Sequence, residues 1–140
     1  MLLKGKNIFI VEDNAQNRII YQTVLMIQGA TLEFDRWGRE AEMHLQTFKH
    51  FDLIILDLML PGGVTGYDVF DQIRQLPGFA DVPIVAISAA DPSTAIKETR
   101  EKGFSGFIAK PIDMILLPEQ LVRIIEGEQV WYGGEHFVTA

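Results

Sequence analysis

The stretch DLIILDLML, Asp52 to Leu60, decides the fold. Its uninterrupted apolar run is the pattern of a strand buried on both faces, as in a parallel sheet covered by helices. Asp57 then stands at the end of that strand, among residues that otherwise belong to a protein interior. A carboxylate placed there costs several kcal/mol unless other groups compensate it. The chain must bring those groups from elsewhere.

Working outward, short apolar runs alternate with longer amphipathic segments, which is the pattern of successive βα units. Five runs are predicted as strands: NIFIV (7–11), TLEF (31–34), LIIL (53–56), IVAIS (84–88) and GFIA (106–109). The second alternates most and is expected at an edge. Asn14 is placed to cap a helix that contains Ile20, Val24 and Ile27 and ends near Gly29, and a second helix is expected over 39–48. A third covers 66–76, stopped by Pro77 and Gly78, and a fourth follows Asp91, with Pro92 in its first turn, to stop near Gly103. Pro118 would break a helix begun right after Asp113, so the main body of the last helix is expected over 118–126. Residues 127–140 carry two adjacent glycines and no clear period; they read as a C-terminal tail that docks through Val130, Trp131 and Tyr132.

Composition narrows the function. A chain of 140 residues, 48% hydrophobic, fits one domain with a real core. Twelve Lys and Arg against nineteen Asp and Glu give a net charge of −7, which argues against nucleic acid or an anionic membrane surface as partner. The lack of cysteine removes disulfides, thiolate catalysis and cysteine metal sites, and is compatible with a reducing compartment. MLLKGKN is too short and polar for a signal peptide, and no apolar run approaches the roughly 20 residues that span a bilayer. A cytoplasmic location is the expectation.

Right-handed crossovers bring the carboxyl ends of parallel strands to one edge of the sheet. That edge collects Glu12 and Asp13 after the first strand, Asp57 after the third, Ser88 after the fourth and Lys110 after the fifth. Any one of these alone reads as a helix cap or a turn residue; their convergence from four strands reads as a site. Three carboxylates within about 4 Å of one another would repel by roughly 4 kcal/mol per pair at an effective dielectric near 20. Lys110 offsets one charge, and a single divalent ion would neutralise the rest. Oxygen-only donors favour Mg²⁺ over zinc or copper. A carboxylate-held metal with open positions is the usual partner of a phosphoryl group, leaving Lys110 and the Ser88 hydroxyl for the remaining oxygens. Asp57 is then the nucleophile, aimed by a rigid strand for in-line attack on phosphorus.

This constellation resembles the receiver domain of two-component response regulators. The resemblance runs from about Lys4 to Glu126 and rests on VEDN (11–14), DLMLPG (57–62), AISA (86–89) and FIAKP (107–111). It implies a three-layer, flavodoxin-like (βα)5 fold with a parallel five-stranded sheet of order 2-1-3-4-5, a receiver domain over 1–126 and a tail over 127–140. It implies that Asp57 accepts a phosphoryl group from a histidine kinase or phosphotransfer protein. Asp13 and Asp57 would ligate Mg²⁺, Glu12 would help through water, and the Met59 backbone carbonyl would complete the protein's share. It further implies that the Ser88 hydroxyl swings toward the phosphoryl group, that Phe107 rotates into the vacated space, and that the Lys110–Pro111 bond is cis. Output would pass by protein contact to a downstream target, from a stand-alone receiver, as a monomer or phosphorylation-linked dimer, without turnover of an external substrate.

The chain departs from the family in places. PGGVTG (61–66) is one residue longer than the usual loop and has Thr65 in place of an acid; Phe107 lacks a phenol hydroxyl, so its inward state is one of packing alone. Met59 and Ala90 flank the site and neither can orient water, which predicts slow intrinsic dephosphorylation. His44, His50 and His136 share no metal-ligand spacing and read as surface residues, and Met26, Met43 and Met114 as core or gap fillers. Trp37 and Trp131 read equally as partner surfaces or as an exposed loop aromatic and a docked tail. Of the rivals, a haloacid dehalogenase-type phosphatase needs an acid where Met59 stands. A flavodoxin needs a hydroxyl-rich first loop, and a nucleotide switch needs GxxxxGK. A phosphorylation-independent pseudo-receiver is the alternative, and the intact Glu12, Asp13, Asp57, Ser88 and Lys110 weigh against it.

Overall fold

A computed structural model describes residues 1–37, 41–47 and 50–135. Six parallel strands are present among them: β1 (Asn7–Val11), β2 (Thr31–Asp35), β3 (Leu53–Leu56), β4 (Ile84–Ser88), β5 (Gly106–Ala109) and β6 (Val130–Tyr132), in the order β2-β1-β3-β4-β5-β6. Helices α1 (Ala15–Tyr21), α2 (Ala41–Thr47), α3 (Gly66–Gln75), α4 (Pro92–Lys102) and α5 (Leu117–Ile125) follow the first five strands in turn. The order of the first five strands is the expected one. The expected five-stranded sheet, however, gains a sixth member from the segment read as a tail.

Every residue of β3, β4 and β5 is buried, because successive side chains feed two separate cores. Phe9, Val11, Ile54, Leu56, Ala86 and Phe107 face α2, α3 and α4. Ile8, Ile10, Ile55, Val85, Ile87 and Ile108 face α1 and α5. A helix layer on each face is thus what lets the run Leu53–Leu56 be apolar throughout. β2 alternates and is partly exposed, as an edge strand should be.

The helix signals hold in detail. Asn14 accepts from the Asn17 N–H at 3.0 Å, and Asp91 caps α4 by accepting from the Ser93 N–H at 3.1 Å. Gly103 closes α4 with φ of 106°, a left-handed conformation suited to glycine. Besides one-residue shifts at the ends of β2 and α3, two boundaries differ from expectation. The first helix changes at Gln22 into a π-helical segment, Gln22–Met26, before its turn at Gly29. α5 begins at Leu117, one residue early, because Pro118 falls in the first turn, where no intrahelical N–H bond is needed. The expected ends of the second helix, at residues 39 and 48, lie outside the described residues.

Candidate functional site

The turn after β3 delivers Asp57, only 6% exposed, to the carboxyl edge of the sheet. Its N–H donates to the Val11 carbonyl at 3.3 Å, which carries the β1–β3 ladder one step further and fixes the residue's direction. Oδ1 accepts from the Met59 N–H at 3.0 Å. Oδ2 lies 2.7 Å from Lys110 Nζ, and the same ammonium lies 2.8 Å from Glu12 Oε1. Two buried carboxylates from separate strands therefore share one lysine from a third. Burial alone would draw the Lys110 ammonium down, but its bonds and charge contacts with Asp57 and Glu12 outweigh that and hold it above the ordinary lysine value. It stays charged at neutral pH.

The surrounding bonds keep this cluster in place. Glu12 Oε2 accepts from the Asn14 N–H at 3.3 Å, while Arg18 Nε donates to the Glu12 carbonyl at 2.7 Å. The Lys110 N–H donates to the Ser88 carbonyl at 2.9 Å, and Lys110–Pro111 is cis, as the resemblance implied. Ser88 is fully buried, and its Oγ accepts from the Ala90 N–H at 3.2 Å. Phe107 is fully buried among the residues facing α3 and α4. Asp13 sits in the turn between Glu12 and Asn14, partly exposed, and is not joined to Lys110. Among the described residues no three acidic or histidine side chains are arranged to hold a metal as they stand.

The unusual loop after Asp57 has a local logic. Gly62 and Gly63 take φ of 75° and 76°, and Met59 and Thr65 form an isolated antiparallel bridge. Thr65, standing where an acid was expected, caps α3: its Oγ1 accepts from the Asp68 N–H at 3.2 Å, and Asp68 Oδ2 accepts from the Thr65 N–H at 3.0 Å. Gly66 is required next, since a Cβ there would lie 2.4 Å from the Asp57 carbonyl oxygen. Beside this loop opens a 360 Å³ groove lined by Met59, Tyr67, Ala90 and Glu98 among others. Burial and the neighbouring Glu98 push the Tyr67 phenol up to about 12, so it remains a neutral donor.

Three features escaped the reading of the sequence. Arg18 anchors the acidic turn through the Glu12 carbonyl, although nothing in its spacing marks it. Tyr21 is buried under the site, and burial together with the charges of Glu12 and Asp57 raises its phenol well above the ordinary range. His44, read as a surface residue, bridges α2 to the edge strand: Nδ1 lies 3.0 Å from Asp35 and Nε2 3.0 Å from Glu33. The i to i+2 spacing of those two acids on one strand face was the available signal. Trp37 is partly buried and donates to Gln72 of α3 at 2.7 Å.

A doubly covered parallel sheet in this order, with an acid–lysine cluster at its carboxyl edge, defines a flavodoxin-like α/β protein with its site at the topological switch point. Comparison with known proteins gives the family. The model of the response regulator receiver domain matches residues 8–122, and the chain belongs to that family, a receiver of two-component signalling. It is 29% identical over 109 residues to the polar-differentiation response regulator DivK of Brucella ovis, covering 78% of this chain and 87% of that protein. It is 33% identical over 122 residues to hybrid signal transduction histidine kinase M of Dictyostelium discoideum, covering 84% of this chain but 5% of the kinase. The chain spans 15% of the rice protein described as probable histidine kinase 6, at 28% identity and 90% of its own length. Among solved structures, the Vibrio cholerae chemotaxis protein CheY4 superposes with a TM-score of 0.76 at 25% identity, over 85% of this chain and 98% of that one. The receiver domain of a Pseudomonas aeruginosa sensor histidine kinase, described with magnesium coordinated in its active site cleft, gives 0.72 at 28% identity over 88% and 99%.

Proposed function

We propose that this receiver is phosphorylated on Asp57 by a phosphohistidine of a kinase or phosphotransfer protein, and signals by protein contact. The observation that carries this reading is the Lys110 ammonium held at 2.7 Å from Asp57 and 2.8 Å from Glu12. A carboxylate oxygen of Asp57 attacks phosphorus, the P–N bond to the donor imidazole breaks, and the imidazole leaves as the neutral base after taking up a proton. The product is an acyl phosphate. Lys110 stands where it can neutralise charge on the incoming oxygens, and the β1–β3 bond through Asp57 N–H keeps the nucleophile from turning away.

The donor set fits Mg²⁺. Glu12 and Asp57, 1% and 6% exposed, share a single ammonium, so negative charge is left over even before Asp13 is counted. Asp13, Asp57 and the Met59 carbonyl would hold the ion, with Glu12 acting through water; all are hard oxygen donors. When bound, it supplies fixed positive charge for the phosphoryl oxygens.

No external substrate is turned over in this reading, and the partners are the donor protein and a downstream target in the cytoplasm. Among the described residues no helix is long and apolar enough to cross a membrane. The test is incubation with Mg²⁺ and acetyl phosphate, followed by intact mass. One phosphoryl group is expected on the wild type and none on Asp57→Asn. A wild type that gains nothing, or a gain that survives the substitution, overturns the assignment.

A further inference from the structure

β6 occupies the outer edge of β5 in register Gly106↔Val130, Phe107↔Trp131 and Ile108↔Tyr132. Its side chains alternate between the two cores. Val130 and Tyr132 pack with the α1 and α5 side, whereas Trp131 packs on the α3 and α4 side, the same layer as Phe107. The Arg100 guanidinium of α4 lies 4.7 Å over the Trp131 ring. The fit is close: a Cβ on Gly106 would lie 2.4 Å from the Val130 carbonyl oxygen. Gly127, with φ of 99°, and the Glu128 N–H bond to the Arg123 carbonyl turn the chain back from α5 to make the approach.

β6 therefore grips the two elements that lead directly out of the site. β5 runs into Lys110, whose ammonium is on Asp57, and α4 begins at Pro92, after the turn that follows Ser88 and holds Ala90. Ser88 pairs with Ala109 across β4 and β5, and Ala86 pairs with Phe107. A charge change at Asp57 has only the length of one four-residue strand to cross before it meets β6.

We propose that β6 is a clasp whose docking on β5 and α4 is linked to phosphoryl occupancy of Asp57, closed when Asp57 is bare and loosened when it is loaded. The inference rests on the phosphoacceptor reading above and adds its intramolecular output. The direction follows from the closed state. Val130 is buried, Trp131 is capped by Arg100 and the β5 edge is paired in the bare protein, so these contacts are already made and a shift of β5 or α4 acts on them chiefly by breaking them. Loosening uncovers the edge of β5 and the indole of Trp131. Because coupling is reciprocal, opening the clasp must favour loading by the same factor by which loading favours opening.

The full chain is treated with Mg²⁺ and acetyl phosphate; intact mass gives the loaded fraction, and hydrogen exchange is followed in the same samples. Amides of 130–132 are expected to exchange at least tenfold faster in the loaded protein, with those of β1 and β3 unchanged. Loaded protein with unaltered exchange at 130–132 overturns the clasp and leaves the acceptor reading standing, whereas absence of any mass gain removes both. The reciprocal arm titrates beryllofluoride with Mg²⁺, a non-covalent stand-in for the phosphoryl group. Trp131→Ala and the milder Arg100→Gln should both bind it more tightly than wild type, the first by more. Equal affinity in all three also refutes the linkage.

Discussion

Replacing Lys110 with methionine keeps the length of the side chain and removes the ammonium shared by Glu12 and Asp57. Both acceptor oxygens lie within 2.8 Å of that nitrogen, so they are at most about 5.5 Å apart and would repel by at least roughly 3 kcal/mol at an effective dielectric of 20. The same figure is at the lower end of the about 3–5 kcal/mol measured when one partner of a buried ion pair is deleted. A domain with about 5–15 kcal/mol of stability survives such a loss, so Lys110→Met should fold and be measurable. The sharper expectation concerns Glu12→Gln. In the wild type it removes a charge-assisted bond to Lys110 and should cost about 1.5–3 kcal/mol. In the Lys110→Met background it relieves repulsion and should return about 2 kcal/mol. Urea unfolding of the four proteins at pH 7, with unchanged dependence on denaturant, measures the cycle. If Glu12→Gln acts with the same sign in both backgrounds, the shared-ammonium account of the site is wrong.

His44 should titrate above 6.5 by NMR, because its bond to Asp35 and the adjacent Glu33 raise it more than burial lowers it. A raised native value means the α2–β2 contact stabilises in full below 6.5 and fades as pH rises through the native midpoint, so the deficit of His44→Gln should shrink across that window; a midpoint at or below 6.5 contradicts this. Gly66→Ala should lower stability by about 1–3 kcal/mol through overpacking and slow phosphoryl uptake, since the new methyl meets the Asp57 carbonyl; unchanged urea midpoint and uptake rate would exclude that contact as a constraint. Phosphorylated protein freed of donor should persist without a phosphatase, because Met59 and Ala90 offer no group to orient water. Rapid loss of the phosphoryl mass counts against it.

The parts of the molecule visible in the sequence are those where one physical demand dominates. The runs at 7–11, 53–56, 84–88 and 106–109 are apolar because both faces of those strands are covered, and the strand bounds coincide with the runs. Asn14, Asp91 and Gly103 are legible because capping needs particular side chains or a left-handed φ. Where two demands compete, the pattern blurs. Val130–Tyr132 is three residues flanked by polar and glycine positions, too short for a period to register, and becomes a strand only because the edge of β5 is there to pair with it. Thr65 looked like the loss of an acid; the structure uses its hydroxyl as a cap. Tyr21 and Leu25 are buried four residues apart, an ordinary helical stripe, while Met26 and Ile27 face outward, so Ile27 leaves the apolar face on which the sequence placed it with Ile20 and Val24. Met26, Met43 and Met114, expected to fill gaps, are instead largely exposed.

The sheet's two margins offer a second copy of the chain little to pair with. A bare strand edge is a template on which a foreign chain can add another row. At one margin, β2 presents Glu33 and Asp35 with His44 laid across them. At the other, β6 replaces the wholly apolar rim of β5 with a strip of three residues, too little backbone to seed orderly growth. Stripping away residues 130–132 should therefore leave a protein that precipitates more readily at high concentration.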